Sequence, residues 1–405
     1  MKIAKRMSRL GTETAFEVLA EVNALKAKGK EIISFAIGEP DFDTPTNIKK
    51  AAIDAINDNQ THYNPSAGLI EVRQSCADYI KRTRGIDVDP EEVVVVPGGK
   101  PIIFYTILAL ADEEDEVIYP NPGFPIYESM IDFIGAKAVP LPLLEEKEFS
   151  FDIEDLKKIV SDKTKLVILN SPQNPTGGVI PKEDLEVVAE LAKKHDFYVL
   201  SDEIYSQMIY DGKFESISTF PGMKERTIIL DGHSKTYAMT GWRLGFGVMP
   251  KELAALEAKL MTNSNSCTCT FTQIAGKEAL DGPQDDALAM VKEFKERRDI
   301  IVEGLNDIEG ISCIKPHGAF YVFPNVTQAC KDKGFKDAKE LQQYLLHEAG
   351  IALLSRNCFG KKNVGEEEEY LRLSYATAKE QIRAGIKKIK EALADDDRIG
   401  KFLEK

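Results

Sequence analysis

The sequence predicts an α/β protein built on a mostly parallel, seven-stranded sheet covered by helices on both faces, with a smaller α+β part attached. Three observations carry that expectation. Short apolar runs rich in Val, Ile and Leu recur between residues 93 and 248, with helical patterns between several of them. Polar residues, glycines and prolines cluster just after those runs, where a parallel sheet presents its ligand-binding edge. A long helix-compatible stretch over 284–305 then leads into a region of mixed helix and strand signals.

In chain order, residues 14–28 carry apolar positions at helical spacing and are stopped by Gly29. Residues 32–38 read as a short strand running into the turn Glu39-Pro40-Asp41-Phe42. The seven strands of the sheet are expected at 93–96, 116–119, 137–141, 166–169, 198–201, 227–230 and 244–248, with a helix over 182–194 among the connections. Beyond the long helix, residues 317–323 and 370–374 read as strands. The expected organisation is a large domain over 46–285 and a small one made of 1–45 and 286–405.

Composition narrows the function classes. A formal net charge of −14 argues against a nucleic-acid binder, which would carry a basic face. The six cysteines lack paired metal-ligand spacing, so no metal site is expected, and reduced thiols fit a cytoplasmic setting. No apolar window is long enough to cross a membrane, and the charged N-terminus lacks a signal-peptide core.

The most informative run is Ser234-Lys235-Thr236-Tyr237-Ala238-Met239-Thr240-Gly241-Trp242-Arg243. It follows the apolar strand 227–230. A lysine released from a buried strand end can be desolvated into a nucleophilic amine. Arg243, eight residues on, offers a planar fork suited to phosphate. Taken as a bare pair, an exposed lysine and a structural arginine explain these residues better. Other strand ends change the balance. Pro97-Gly98-Gly99-Lys100 can bring backbone N–H groups to an anion at a helix start, or can be an ordinary turn. Phe124 can stack on a flat ring or sit in the core. Asn174 is presented by the rigid turn Asn174-Pro175-Thr176-Gly177. Asp202 ends a buried strand, which is costly unless it meets a cation such as a protonated pyridine nitrogen. Tyr205, three residues on, could donate to a phenolic oxygen.

From Gly38-Glu39-Pro40-Asp41-Phe42 through Asn174-Pro175-Thr176-Gly177 and Ser234-Lys235 to Arg372-Leu373-Ser374-Tyr375, the chain resembles the class I, fold-type I pyridoxal-phosphate-dependent aminotransferases, of aspartate, aromatic or alanine type. The resemblance runs essentially end to end. It implies pyridoxal 5'-phosphate as cofactor, with Lys235 bonding its aldehyde and shuttling a proton. Asp202 is implied as partner of the ring nitrogen, Tyr205 and Asn174 as donors to the ring oxygen, and Phe124 as the stacking aromatic. Gly99, Lys100, Ser234 and Arg243 fall around the phosphate. Arg372 is implied as the clamp on the substrate α-carboxylate, with Gly38, Phe124 and Asn174 beside the substrate. Tyr63 is implied to reach the phosphate of a neighbouring subunit, hence a homodimer.

The implied reaction moves an amino group from an L-amino acid to a 2-oxo acid, 2-oxoglutarate or pyruvate, in two half-reactions. A β-lyase acting on cysteine conjugates would share the same core, and a non-catalytic sensor on this fold is a third reading. Three departures stand out. His233 replaces an apolar or small residue, and Gly232 replaces a phosphate-binding serine of some relatives. The loop before Arg372 reads Ser355-Arg356-Asn357-Cys358-Phe359-Gly360; Arg356 could meet an acidic side chain, but a solvent-facing arginine is the better expectation. The segments 11–16 and 263–267 are further candidates for the side-chain pocket.

Overall fold

A computed structural model describes residues 2–12 and 14–404. Its centre is an eight-stranded sheet of β1 (Val93–Val96), β2 (Glu116–Asn121), β3 (Lys137–Leu144), β4 (Ser150–Phe151), β5 (Thr164–Asn170), β6 (Tyr198–Asp202), β7 (Thr227–Gly232) and β8 (Gly245–Val248). The spatial order is β1-β8-β7-β6-β5-β2-β3-β4. Strands β7, β6, β5, β2 and β3 pair in parallel. β8 runs antiparallel between β1 and β7. The strand beyond the expected seven is β4, a two-residue edge piece on the end of β3. It is too short to leave a periodic signal.

The sheet is apolar on both faces because both are covered. In β1, Val93 and Val95 join one apolar cluster while Val94 and Val96 join another, the period-2 alternation of a strand sandwiched between helices. All four valines are buried.

Outside the sheet, the long helix Asp285–Asn306 packs against the helix Lys379–Leu393. Tyr321–Val322, Leu371–Ser374 and Leu354–Ser355 form a three-stranded antiparallel sheet. The strand expected over 317–323 shrinks to its two residues, and that over 32–38 shrinks to Ile33–Ser34, which pairs with Ile351–Ala352. This pairing ties the N-terminal segment to the C-terminal part of the chain. Phe35 follows it, fully buried, and a Cβ at Gly385 would stand 2.4 Å from the Phe35 ring. A glycine there lets the C-terminal helix lie directly on the aromatic.

Since every strand of the sheet except β8 and β4 runs the same way, the ends of β1, β2, β5, β6 and β7 converge on one edge. Gly98-Gly99, Asn121, Asn170, Asp202 and Gly232 all lie along it. No helix among the described residues is long and apolar enough to cross a membrane.

Candidate active site

Over that edge opens a cavity of about 410 Å³ lined by Lys100, Phe124, Asn174, Asp202, Tyr205, Ser234, Lys235, Arg243 and Arg372, together with Gly38 and Gly99. Residues as far apart in sequence as Gly38 and Arg372 therefore share one space. Tyr63, also singled out from the sequence, does not line it and is 89% exposed.

Asp202 is the last residue of β6 and is buried. Its Oδ2 accepts from the Tyr127 hydroxyl at 2.6 Å, and Oδ1 from the Ile204 N–H at 3.3 Å. Burial is the main force that raises its pKa to about 6, against which those two donors work. Among the described residues it has no ion pair. A carboxylate so placed would gain from a cation brought by a ligand.

Lys235 stands in a single helical turn that follows β7. Its Nζ donates to the Gly38 carbonyl at 2.6 Å and lies 5.8 Å from the centre of the Phe320 ring. Desolvation lowers its pKa to about 8, and the cations Arg372, Arg243 and Lys100 push the same way against Glu39. The amine is thereby poised between its two protonation states near neutral pH.

Arg243 has a left-handed backbone (φ 53°) and donates from Nη1 to the Thr240 carbonyl at 2.7 Å. Its guanidinium occupies the place where a Cβ on residue 98 would be, 2.1 Å from Nη2, so Gly98 (φ 85°) is required for that approach as well as for its own conformation. Gly99 precedes the helix Lys100–Leu110, whose N-terminal end faces the cavity. Helix end and guanidinium together suit a dianion.

Arg372 donates from Nη1 to Asn174 Oδ1 at 3.1 Å and from Nη2 to the Ala36 carbonyl. The rings of Tyr321 and Phe359 lie 4.7 and 5.0 Å from its guanidinium carbon. Tyr205 and Tyr321 share a hydroxyl–hydroxyl bond of 2.7 Å. Gly38 is glycine for lack of room: a Cβ would fall 1.9 Å from the Tyr321 oxygen.

Two contributors escaped the sequence reading. Tyr127 holds Asp202, and its only sequence trace is its position three residues after Phe124, at the start of a helix. Tyr321 lies in the 317–323 segment, where alternation marks a strand but gives no role. Lys100 was expected to act through its backbone. Its side chain is in the cavity too, with Nζ 5.2 Å from the Phe124 ring centre and 5.8 Å from that of Phe16. Of the segment 11–16, Ala15 and Phe16 line the cavity, and residue 13 lies outside the described residues. The segment 263–267 does not line it; Ser264 Oγ instead meets the Tyr105 hydroxyl at 2.5 Å.

Arg356 is neither solvent-facing nor in the cavity, which corrects both expectations for it. Its side chain is fully buried, bonded through Nε and Nη2 to the two oxygens of Glu366 at 2.6 and 2.8 Å. Nη2 also meets Asn121 Oδ1 at 3.0 Å. The arginine folds its own loop against the end of β2, and every direction in which it could offer a hydrogen bond to a substrate is taken.

The two other departures are packing solutions. A Cβ at Gly232 would stand 2.9 Å from Gly245 Cα on the paired strand, so no serine fits without moving β8. His233 is buried, lies 6.1 Å from the Phe246 ring, and shares a 3.2 Å bond between Nε2 and the Gly276 carbonyl. Burial lowers its pKa to about 4, so it is neutral. No group of His, Cys, Asp and Glu among the described residues could hold a metal ion.

Comparison with known proteins accords with this geometry. Residues 30–389 match the family described as aminotransferase class I and II. A probable aspartate/prephenate aminotransferase of Aquifex aeolicus is 38% identical, over 97% of this chain and 99% of the relative. An aromatic-amino-acid aminotransferase of Thermococcus litoralis is 38% identical over 91% of this chain and 94% of its own. Among solved structures, an aspartate aminotransferase from Thermus thermophilus with maleate superposes with a TM-score of 0.90 at 34% identity, covering 97% of this chain and 100% of that one.

Two predictions follow from the local chemistry. In the full chain without added ligand, acylation of Lys235 by an amine-selective reagent, mapped by mass spectrometry, should reach half its maximum near pH 8. Exposed lysines should need about two units more. Because the folded amine binds its proton less tightly than the unfolded one, this group's penalty on stability is full below pH 8 and fades as the pH rises toward 10.5. Replacing Arg356 by Ala should cost about 3 kcal/mol, the low end for breaking a buried pair, since it leaves the largely buried Glu366 carboxylate without its cation. Denaturant unfolding of R356A would read that loss, and a native midpoint would contradict the structural role.

Proposed function

The chain belongs to the aminotransferase class I and II family, and we propose that it holds pyridoxal 5'-phosphate at Lys235 and prefers acidic amino donors. It is an enzyme that moves the amino group of an L-amino acid to a 2-oxo acid. The observation that carries the cofactor reading is that the part-buried Lys235 amine and the buried Asp202 carboxylate share one cavity, with Arg243 and Gly99 also on its walls. These groups match an aldehyde, a basic ring nitrogen and a phosphate on one flat molecule. When bound, the cofactor supplies an aldehyde that captures amino groups and a ring that takes up the electron pair left at Cα.

The protein's own residues do the rest. Asp202 keeps the ring nitrogen protonated, because a buried carboxylate short of a cation favours the proton on its partner. Phe124 would stack on the ring, and Asn174 and Tyr205 would donate to its oxygen. Arg372 exchanges neutral acceptors for the substrate α-carboxylate in a two-pronged pair. That pair sets the direction of the Cα–H bond relative to the ring, and this alignment governs which bond breaks. Lys235 would hold the aldehyde and, once its amine is free, would take the substrate Cα proton and return it. Tyr63, exposed and outside its own cavity, would serve the cavity of a second copy in a homodimer.

The donor preference rests on the positive lining of the cavity and on the relatives, which include a probable aspartate/prephenate aminotransferase and an aspartate aminotransferase solved with maleate. Among the described residues four cations line the cavity: Lys100, Lys235, Arg243 and Arg372. The cofactor accounts for Lys235 and Arg243, and the α-carboxylate for Arg372. Lys100 lines the cavity beside Phe16 and Phe124 and adds to its positive field, which favours a second carboxylate at the far end of the substrate. Aspartate or glutamate as donor and 2-oxoglutarate as acceptor carry that second carboxylate.

Lys235→Ala should abolish glutamate formation from any donor with 2-oxoglutarate. If the native enzyme instead releases ammonia and pyruvate from cysteine conjugates in preference, the lyase reading replaces this one. Lys100→Ala should lower kcat/KM for aspartate and glutamate at least about tenfold, the worth of one charge-assisted hydrogen bond, while alanine and phenylalanine change little. Equal losses for acidic and neutral donors would refute the assignment of Lys100.

A further inference from the structure

Adjacent to Asp202 in the chain, and outside the cavity lining, lies a buried charge cluster that the proposed chemistry does not use. Arg84, at the end of the helix Ile70–Arg84, has a side chain with no exposure. Its Nε meets Glu203 Oε2 at 3.0 Å, and its Nη2 meets Asp231 Oδ2 at 2.5 Å and Ser206 Oγ at 2.7 Å. The carboxylate side chains are each 1% exposed. Every carboxylate oxygen has a donor: Glu203 Oε1 accepts from Ser201 and Ser216 at 2.9 and 2.5 Å, and Asp231 Oδ1 from the Gly232 N–H at 2.7 Å. The Tyr79 and Phe214 rings lie 5.4 and 5.3 Å from the guanidinium carbon.

Two carboxylates against one guanidinium leave a net negative charge in the interior. Such a cluster is a poor source of stability, because well-packed apolar side chains would serve at least as well. Its position is the informative part. Glu203 directly follows Asp202, and Asp231 lies in β7 four residues before Lys235. The Glu203 N–H donates to the Leu230 carbonyl at 2.9 Å, so the two strand ends already touch there.

We infer that Arg84 is a positioning residue. By bridging Glu203 and Asp231 it fixes the spacing between the segment that carries Asp202 and the turn that carries Lys235, and the cluster's residual negative charge reinforces Asp202 toward the cofactor's ring nitrogen. The inference rests on the cofactor reading given above. A lysine cannot replace the arginine, since one ammonium cannot match the forked geometry that spans both carboxylates. Burial is the chief reason that Asp202 lies near 6, but Asp231 and Glu203 also push it upward, so their charge is felt at the site.

The test compares three ligands on the full chain stripped of cofactor: pyridoxal phosphate, the same molecule with carbon in place of the ring nitrogen, and inorganic phosphate. The native protein should prefer the nitrogen-containing ring. Arg84→Lys should cut that preference about tenfold, as loss of a charge-assisted contact would, with phosphate affinity unchanged. Asp231→Asn, which keeps the Arg84–Glu203 pair but removes one negative charge, should cut it in the same direction. A folded R84K with native preference, or one that weakens all three ligands in parallel, would overturn the inference. Should R84K not fold, D231N decides, and native preference there overturns it. A native protein that does not distinguish the two rings would sink the Asp202 assignment itself, and this inference with it.

Discussion

The site depends on burying charge where the chain alone cannot neutralise it. Asp202 and Lys235 are both withdrawn from water, and burial pushes both toward their neutral forms, to about 6 and about 8. Neither shift is large enough to discharge the group fully near neutral pH. The fold sustains this through neutral contacts: the Tyr127 hydroxyl for the carboxylate and the Gly38 carbonyl for the amine. Such contacts hold geometry without satisfying charge. The deficit that remains is what a ligand of opposite pattern can relieve, so the electrostatics of the cavity favour such a ligand.

Sheet topology makes this arrangement possible. Parallel strands deliver their carboxyl ends to one edge, and the edge residues follow runs so apolar that their depth is set by the core behind them. Asp202 cannot move outward without pulling Tyr198–Asp202 out of register with both neighbours. The glycines carry the same logic. Gly98 and Gly38 are kept small by Arg243 and Tyr321, residues of other segments that close on them.

How much of this is legible in the sequence follows from the range of each interaction. Strands, the helix after Gly99, and the polar residues at strand ends announce themselves within windows of ten or so residues. Lys235, Asp202 and Arg243 could be singled out that way, and the family resemblance supplied the roles. The Tyr127–Asp202 and Tyr205–Tyr321 contacts span 75 and 116 positions and leave no periodic trace. Arg356 shows the same limit from the other side. Its loop contains nothing that distinguishes a surface arginine from one locked by Glu366 ten residues later and Asn121 far upstream. The two-residue strands at Ser150, Ile33 and Tyr321 were missed or overdrawn because tertiary pairing, not local pattern, defines them.

The arginines divide by the acceptors that the fold gives them, and this division separates structure from function more sharply than burial does. Arg84, Arg298 and Arg356 are all buried with no side-chain exposure, and each faces carboxylates: Glu203 and Asp231, Asp211 and Asp299, and Glu366. A guanidinium so engaged has no reason to exchange partners. Arg372 is nearly as buried, and its bonds include those to the Asn174 amide oxygen and the Ala36 carbonyl, while Arg243 bonds to the Thr240 carbonyl. Swapping a neutral oxygen for a carboxylate or phosphate strengthens the bond roughly twofold at little geometric cost. Depth in the protein would have ranked Arg356 above Arg372 as a candidate for substrate recognition. The Glu366 pair removes Arg356 from that ranking, because a guanidinium whose donors are all held by the protein has none left to offer a substrate.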